Sequence, residues 1–151
     1  MKAKFKKLMK NQKGMTLIEL LAVIVIIAII ALIAIPAIGN IINNSHDKAI
    51  LADASNIISG AKIAVQDGAC TEASDSSAVT CSETQLKDYV DNVKGTGYSA
   101  EKATDGTWSV TYPEFSNLKG EKFKPEGLTN NKVTEVNLNK ALGKSNTKAT
   151  K

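Results

Sequence analysis

The sequence contains no arginine: all 19 of its basic residues are lysine. It has one histidine, His46, two cysteines, Cys70 and Cys81, three prolines, and an aromatic content of only 5%. Without arginine there is no bidentate clamp for phosphate, and a single histidine puts most imidazole-based acid–base and metal chemistry out of reach. The chain shows no Gly-rich phosphate loop, no Cys/His pair and no metal-ligand spacing, so it is read as a non-enzyme with no catalytic residue, metal site or cofactor. Its 151 residues support one modest folded domain, which excludes a multidomain enzyme.

The apolar residues, 43% of the chain, are massed near its start. Leu20 to Gly39 is a run of 20 residues with no charge, built from thirteen Leu, Ile or Val, five Ala, one Pro and one Gly. As a helix rising about 1.5 Å per residue it spans about 30 Å, the thickness of a bilayer's hydrocarbon core. A secretory signal peptide has a shorter apolar region and a small-residue exit, neither of which is present here. Six lysines (Lys2, Lys4, Lys6, Lys7, Lys10 and Lys13) precede the run, and by the positive-inside rule they keep the N-terminus in the cytoplasm and send the rest outside. They also account for the net charge of +4, because the remaining 13 Lys face 15 Asp and Glu, giving −2.

One acid, Glu19, sits at the front of the apolar segment. Its insertion costs at most about 3 kcal/mol, whereas thirteen branched aliphatics return about −5 kcal/mol, so the helix inserts despite it. An ionisable group within such a segment is a candidate functional residue whose partner must be named.

Lys13-Gly14-Met15-Thr16-Leu17-Ile18-Glu19 joins the basic leader to the apolar run. Here the sequence resembles the precursors of type IV pilins and pseudopilins, over about residues 10 to 45. The resemblance implies cleavage between Gly14 and Met15 by a prepilin peptidase on the cytoplasmic side and N-methylation of Met15. It makes Glu19 the fifth mature residue and puts Pro36 where that family commonly has a helix-bending proline, which marks Glu19 and Pro36 as assembly residues. Met at the first mature position, where Phe is commoner, is a departure that the family tolerates. The implied partners are the prepilin peptidase/methyltransferase, identical or related subunits in a helical filament, the cytoplasmic membrane and an assembly platform. The implied localisation is single-pass in that membrane before assembly and an extracellular or surface filament after it. Physically, cleavage creates a positive α-amino group that Glu19 of a neighbouring subunit neutralises, so that the matched pair sets register and a repeated head-to-tail contact builds a filament.

After Pro36 the pattern becomes amphipathic. Ile50, Ala54, Ile57, Ile58, Ala61 and Val65 mark one helical face, while Asp47, Lys48, Asp53, Asn56, Ser59, Lys62 and Gln66 occupy the rest. This predicts one helix from Met15 to Gln66, with a kink or local melting at Pro36 and Gly39. His46 reads as a solvated side chain.

Cys70 and Cys81 lie past the membrane segment on the oxidising side and are read as a disulfide closing the loop Thr71 to Thr80. Ser82-Glu83-Thr84-Gln85 has the form of a capping box and predicts a short helix over Glu83 to Val93. Tyr98–Thr104 and Thr107–Tyr112 flank Asp105-Gly106, a two-residue hairpin signal, with Trp108, Val110 and Tyr112 facing the helix residues Ile50, Ile57 and Ile58. Lys132 to Leu138 reads as a further strand with Val136 and Leu138 on one face, or as a short helix. Pro113, Gly120, Pro125 and Gly127 mark loops.

The expected class is therefore α+β, a long N-terminal helix packed on a small antiparallel β-sheet head. The expected organisation is a removed leader (1–14), a transmembrane and assembly helix (15–39), the amphipathic half of that helix (40–66), an extracellular head (67–142) and a mobile Lys-rich tail (143–151). The tail and the Lys119, Lys122, Lys124 group are able to attract nucleic acid or an anionic cell wall, but solvated lysines are the simpler account and nothing in the sequence supports nucleic acid. Two other readings stand beside the pilus subunit. One is a pseudopilin of a type II secretion or competence DNA-uptake machine; the other is a monomeric membrane-anchored binding or sensor domain.

Overall fold

A computed structural model describes residues 16–72 and 78–143. The leader 1–14, Met15 and the tail from Lys144 onward lie outside the described residues. Helix α1 covers Leu17–Gln66 and includes Pro36. The strands are β1 (Thr71–Glu72), β2 (Val79–Ser82), β3 (Ser99–Lys102), β4 (Trp108–Thr111) and β5 (Lys132–Thr134). The four-residue helix α2 (Glu83–Leu86) follows β2, and α3 (Glu135–Ala141) follows β5. Two 3-10 turns, Pro113–Asn117 and Glu121–Phe123, lie between β4 and β5. The fold is α+β, with the sheet an antiparallel meander in the order β1-β2-β3-β4-β5. The chain divides into two compact units, Met1–Asn40 and Ile41–Lys151.

In the second unit the apolar face of α1 is wider than the sequence pattern showed. Ile50, Ala54, Ile57, Ile58 and Ala61 are buried as a 3.6-residue period requires, and Leu51, Gly60 and Ala64 are buried beside them. Val65 is only half-buried. The sheet answers with a row of inward residues in register, because Ala100 pairs with Val110 and Val110 with Val133, and all three are buried. Val110 and Tyr112 join Ile50, Ile57 and Ile58 in one core cluster, and Trp108 packs half-buried at its margin. Gly60 lets the next segment come close: a Cβ there would stand 2.3 Å from Val90 Cγ2 and 2.6 Å from the Tyr89 carbonyl oxygen.

Three local readings need correction. The helix predicted over Glu83 to Val93 stops at Leu86. Leu86 and Val90 both reach the core, but the backbone leaves the helix to pass Gly60 and then turns at Asn92, whose φ is 57°. The β3–β4 connection is a three-residue loop and not the two-residue turn that Asp105-Gly106 suggested. Ala103 N–H donates to the Thr107 carbonyl, Gly106 N–H donates to the Ala103 carbonyl, and Gly106 has a φ of 84°, the G1-bulge arrangement. Lys132 to Leu138 is divided between a strand and a helix. Once residue 135 turns helical, Leu138 points inward and Val136, 53% exposed, points out.

The true two-residue turn is Asn130-Asn131. Both residues take positive φ (50° and 59°) between the bridged pair Thr129 and Lys132, which Asn tolerates better than most residues.

Candidate processing and assembly site

The first described turn of α1 is a closed hydrogen-bond box. Thr16 N–H donates to Glu19 Oε2 at 2.8 Å, and Glu19 N–H donates to Thr16 Oγ1 at 3.3 Å. Thr16 is thus the N-cap and Glu19 the third helical residue, the reciprocal pairing that satisfies two otherwise orphaned donors. Thr-x-x-Glu was the available sequence signal for this box, and it gives Glu19 a partner within its own chain. Gly14 and Met15, the expected processing pair, lie outside the described residues.

Beyond this box the helix presents an apolar surface with nothing from the described residues over it. The stretch is long and apolar enough to cross a membrane and buries none of its own residues, which separates it from the core helix of a soluble domain. Leu17 and Leu32 are about four-fifths exposed, and every Ile, Leu and Val from Leu17 to Ile42 is exposed. Burying such a surface against lipid or neighbouring helices is strongly favourable, at about 25 cal/mol per Å² of apolar area. Pro36 sits inside this stretch, and the helix continues through it and through Gly39 without the local melting expected there. Because Pro36 has no N–H, the carbonyl of Leu32, four residues back, receives no helical hydrogen bond from it.

In the second unit, polar residues assigned to the solvent face of α1 hold the head to the helix. Asp47, expected on that face, has no exposed surface. Its Oδ1 accepts Lys119 N–H at 2.9 Å and its Oδ2 accepts Gly120 N–H at 2.8 Å, while His46 Nδ1 stands 3.5 Å from Oδ1. Burial pushes the Asp47 carboxyl up, but the two backbone donors and His46 outweigh it and hold the group below its ordinary range. One turn and a half further on, Asp53 Oδ2 lies 3.2 Å from the Tyr112 hydroxyl, which is 2.5 Å from the Lys94 carbonyl. Asn56 Nδ2 donates to the Asp91 carbonyl at 3.0 Å, and Lys62 Nζ meets Glu135 Oε1 at 2.5 Å. These partners are 35 to 73 residues away in sequence, so no local pattern announced them.

The β1–β2 register pairs Thr71 with Thr80, and extending it by one residue sets Cys70 opposite Cys81. The two are joined, with an S–S distance of 2.01 Å. A cavity of about 360 Å³ beside β4 and β5 has Asp105, Ser109 and Lys132 among its polar residues; Lys132 Nζ pairs with Glu101, Asp105 accepts Thr107 N–H, and no hydrogen bond among the described residues joins Ser109 to either charge.

No curated protein sequence and no solved structure matches the chain. A family model, the prokaryotic N-terminal methylation motif, matches residues 9–35, so the segment that holds Gly14, Met15, Glu19 and most of the exposed apolar helix carries the prepilin signature of type IV pilin and pseudopilin precursors.

Proposed function

We propose that the chain is the precursor of a structural subunit of a type IV pilus or pilus-like filament. The match of residues 9–35 to the methylation motif carries this reading. The prepilin peptidase cuts between Gly14 and Met15 on the cytoplasmic side, and Met15 is N-methylated. The segment 15–39 holds the subunit in the cytoplasmic membrane with the head outside, and the same segment then packs against other subunits in the filament.

Glu19 directs that packing. In the single chain its carboxylate is occupied by the Thr16 N–H. In the filament it takes the α-amino group of a neighbouring Met15, a charge pair that is favourable in an apolar bundle only when both members are matched. A wrong axial offset leaves one charge buried alone, so register is selected by the penalty on its alternatives. Pro36 supplies the point at which the helix yields as subunits settle. Cys70–Cys81 staples β1 to β2 in a head exposed to oxidising surroundings. Pilus subunits and pseudopilins of secretion or DNA-uptake machines share this machinery and differ in filament length and stoichiometry.

Electron microscopy of sheared surface fractions tests the proposal. The wild-type chain yields filaments. Glu19→Gln, which keeps an acceptor for Thr16 but removes the charge, reaches the membrane fraction at normal level and forms few or none. Filaments of normal number from Glu19→Gln would remove the register role.

A further inference from the structure

Where the second unit begins, four lysines gather around one loop. Lys119, Lys122 and Lys124 lie on the segment that Asp47 fastens to α1 through the Lys119 and Gly120 N–H groups. Lys48, the next residue on the helix, joins them. Its Nζ stands 5.1 Å from the centre of the Phe123 ring, and Lys122 Nζ stands 5.6 Å from the same ring. Phe123 is itself buried, so the two cations are gathered on a fixed aromatic surface. Lys124 has Glu121 at 3.5 Å. Among the described residues no carboxylate pairs with Lys48, Lys119 or Lys122. Four lysines against Asp47 and Glu121 leave +2 in a unit whose middle stretch, residues 67–139, carries 7 Lys against 12 acids.

Two further features give this patch a direction. A cavity of about 350 Å³ opens beside it, with Lys119, Glu121, Lys124, Asn130 and Asn131 on its walls. Ammonium and amide donors around a space of that size suit a phosphate-bearing headgroup. Ile41 and Ile42, both exposed, precede Asp47 on the helix by five or six residues, about 8 Å. Exposed aliphatics followed within two turns by a ring of lysines form the apolar-then-cationic sequence of a bilayer interface, where lysine stems lie along apolar surface and their charges reach the headgroups. A nucleic-acid surface has no use for the isoleucines.

We propose that this lysine clasp docks on anionic lipid headgroups of the bilayer that holds the apolar segment, keeping one face of the head against the membrane until the subunit is taken into a filament. The proposal rests on the membrane reading above. Asp47 fastens the start of the loop, through the Lys119 and Gly120 N–H groups, to the helix that carries Lys48.

The test uses the full chain in vesicles of phosphatidylcholine alone and of phosphatidylcholine with phosphatidylglycerol, at low salt. Vesicle flotation reports insertion, and mass spectrometry reports the rate at which each lysine is acetylated. The chain floats with both vesicles. Lys48, Lys119, Lys122 and Lys124 react at least about threefold more slowly in the anionic vesicles, added salt abolishes the difference, and exposed Lys87 and Lys94 react alike in both. Equal rates at the four lysines in the two vesicle types overturn the docking proposal while leaving the membrane reading intact. Failure to float overturns the membrane reading and the proposal with it. Protection in neutral vesicles by inorganic phosphate or by a DNA duplex, matching that of anionic lipid, reassigns the patch to free phosphate or nucleic acid and overturns the lipid assignment.

Discussion

Asp47 accepts the backbone N–H of Gly120 at 2.8 Å from a side chain with no exposed surface, across 73 residues of sequence. With Lys119 N–H on its other oxygen, the carboxylate pairs two donors of a part-buried loop. Removing it leaves two part-buried donors without their partner, which costs more than losing a bond at an open surface. Asp47→Ala is expected to cost about 1–3 kcal/mol, read as a lower urea midpoint with an unchanged slope. Asp47→Asn, with one acceptor oxygen in place of two, falls between.

The same group sets an acid limit. Its folded pKa lies below the ordinary carboxylate value, so its contribution is fully present above about pH 4 and is lost as pH falls through the lower, folded value. Urea midpoints measured from neutral to acid pH should decline less steeply in Asp47→Asn than in the wild type. Parallel declines would mean that the carboxylate's charge contributes nothing.

Tyr112 behaves in the opposite sense. Burial, reinforced by the Asp53 carboxylate, raises its hydroxyl well above the usual tyrosine value. The neutral form is the stabilising one, so its contribution is present below about pH 10 and declines as pH rises beyond that. Tyr112→Phe should cost about 1 kcal/mol at neutral pH through loss of the one hydroxyl proton that the Lys94 carbonyl and the Asp53 carboxylate share as acceptors. Ultraviolet titration should place one tyrosine of the wild type, absent from the variant, above the others.

Gly60 is a packing requirement and not a weak point of the helix. Alanine gains about 1 kcal/mol of helix propensity over glycine, but its methyl would stand 2.6 Å from the Tyr89 carbonyl oxygen, a backbone atom that moves only with its whole segment. Overpacking of this kind costs about 1–3 kcal/mol. Gly60→Ala is therefore expected to lower the urea midpoint, and a raised midpoint would show that residues 89–90 yield freely.

The disulfide closes a short loop, with a sequence separation of 11. Chain entropy assigns it about 3 kcal/mol, so Cys70→Ser combined with Cys81→Ser should lower stability by about that amount under oxidising conditions and by nothing beyond the wild type's own loss under reducing ones.

The parts of the fold that were legible in the sequence are those governed by local pattern. The uncharged run, the helical period of Ile50 to Ala61 and the alternation of Trp108, Val110 and Tyr112 each report burial directly, because the side chain's own solvation decides the outcome. Asp47, placed on the solvent face by the same rule, is fully buried, whereas Asn56 stays exposed and Asp53 and Lys62 partly so; what the rule misses for all four is the partner that holds them. Each finds its partner far along the chain, and only the folded loop 118–124, the segment 91–94 or α3 supplies it. The shortened α2 and the three-residue β3–β4 loop are also outcomes of packing and register, which a six-residue window does not contain. At the N-terminus the opposite holds. The motif alone carries the proposed roles of Gly14, Met15 and Glu19, while Thr16 as the cap of Glu19 required only that Thr-x-x-Glu be read as a helix start.

Maturation is the premise on which assembly rests, and the N-terminal mass of the finished chain tests it most directly. Mass spectrometry of the subunit from membrane and sheared surface fractions should find a chain that begins at Met15 and carries one methyl group on its α-amino nitrogen. A finished subunit that still begins at Met1, with its six leader lysines attached, would contradict the account.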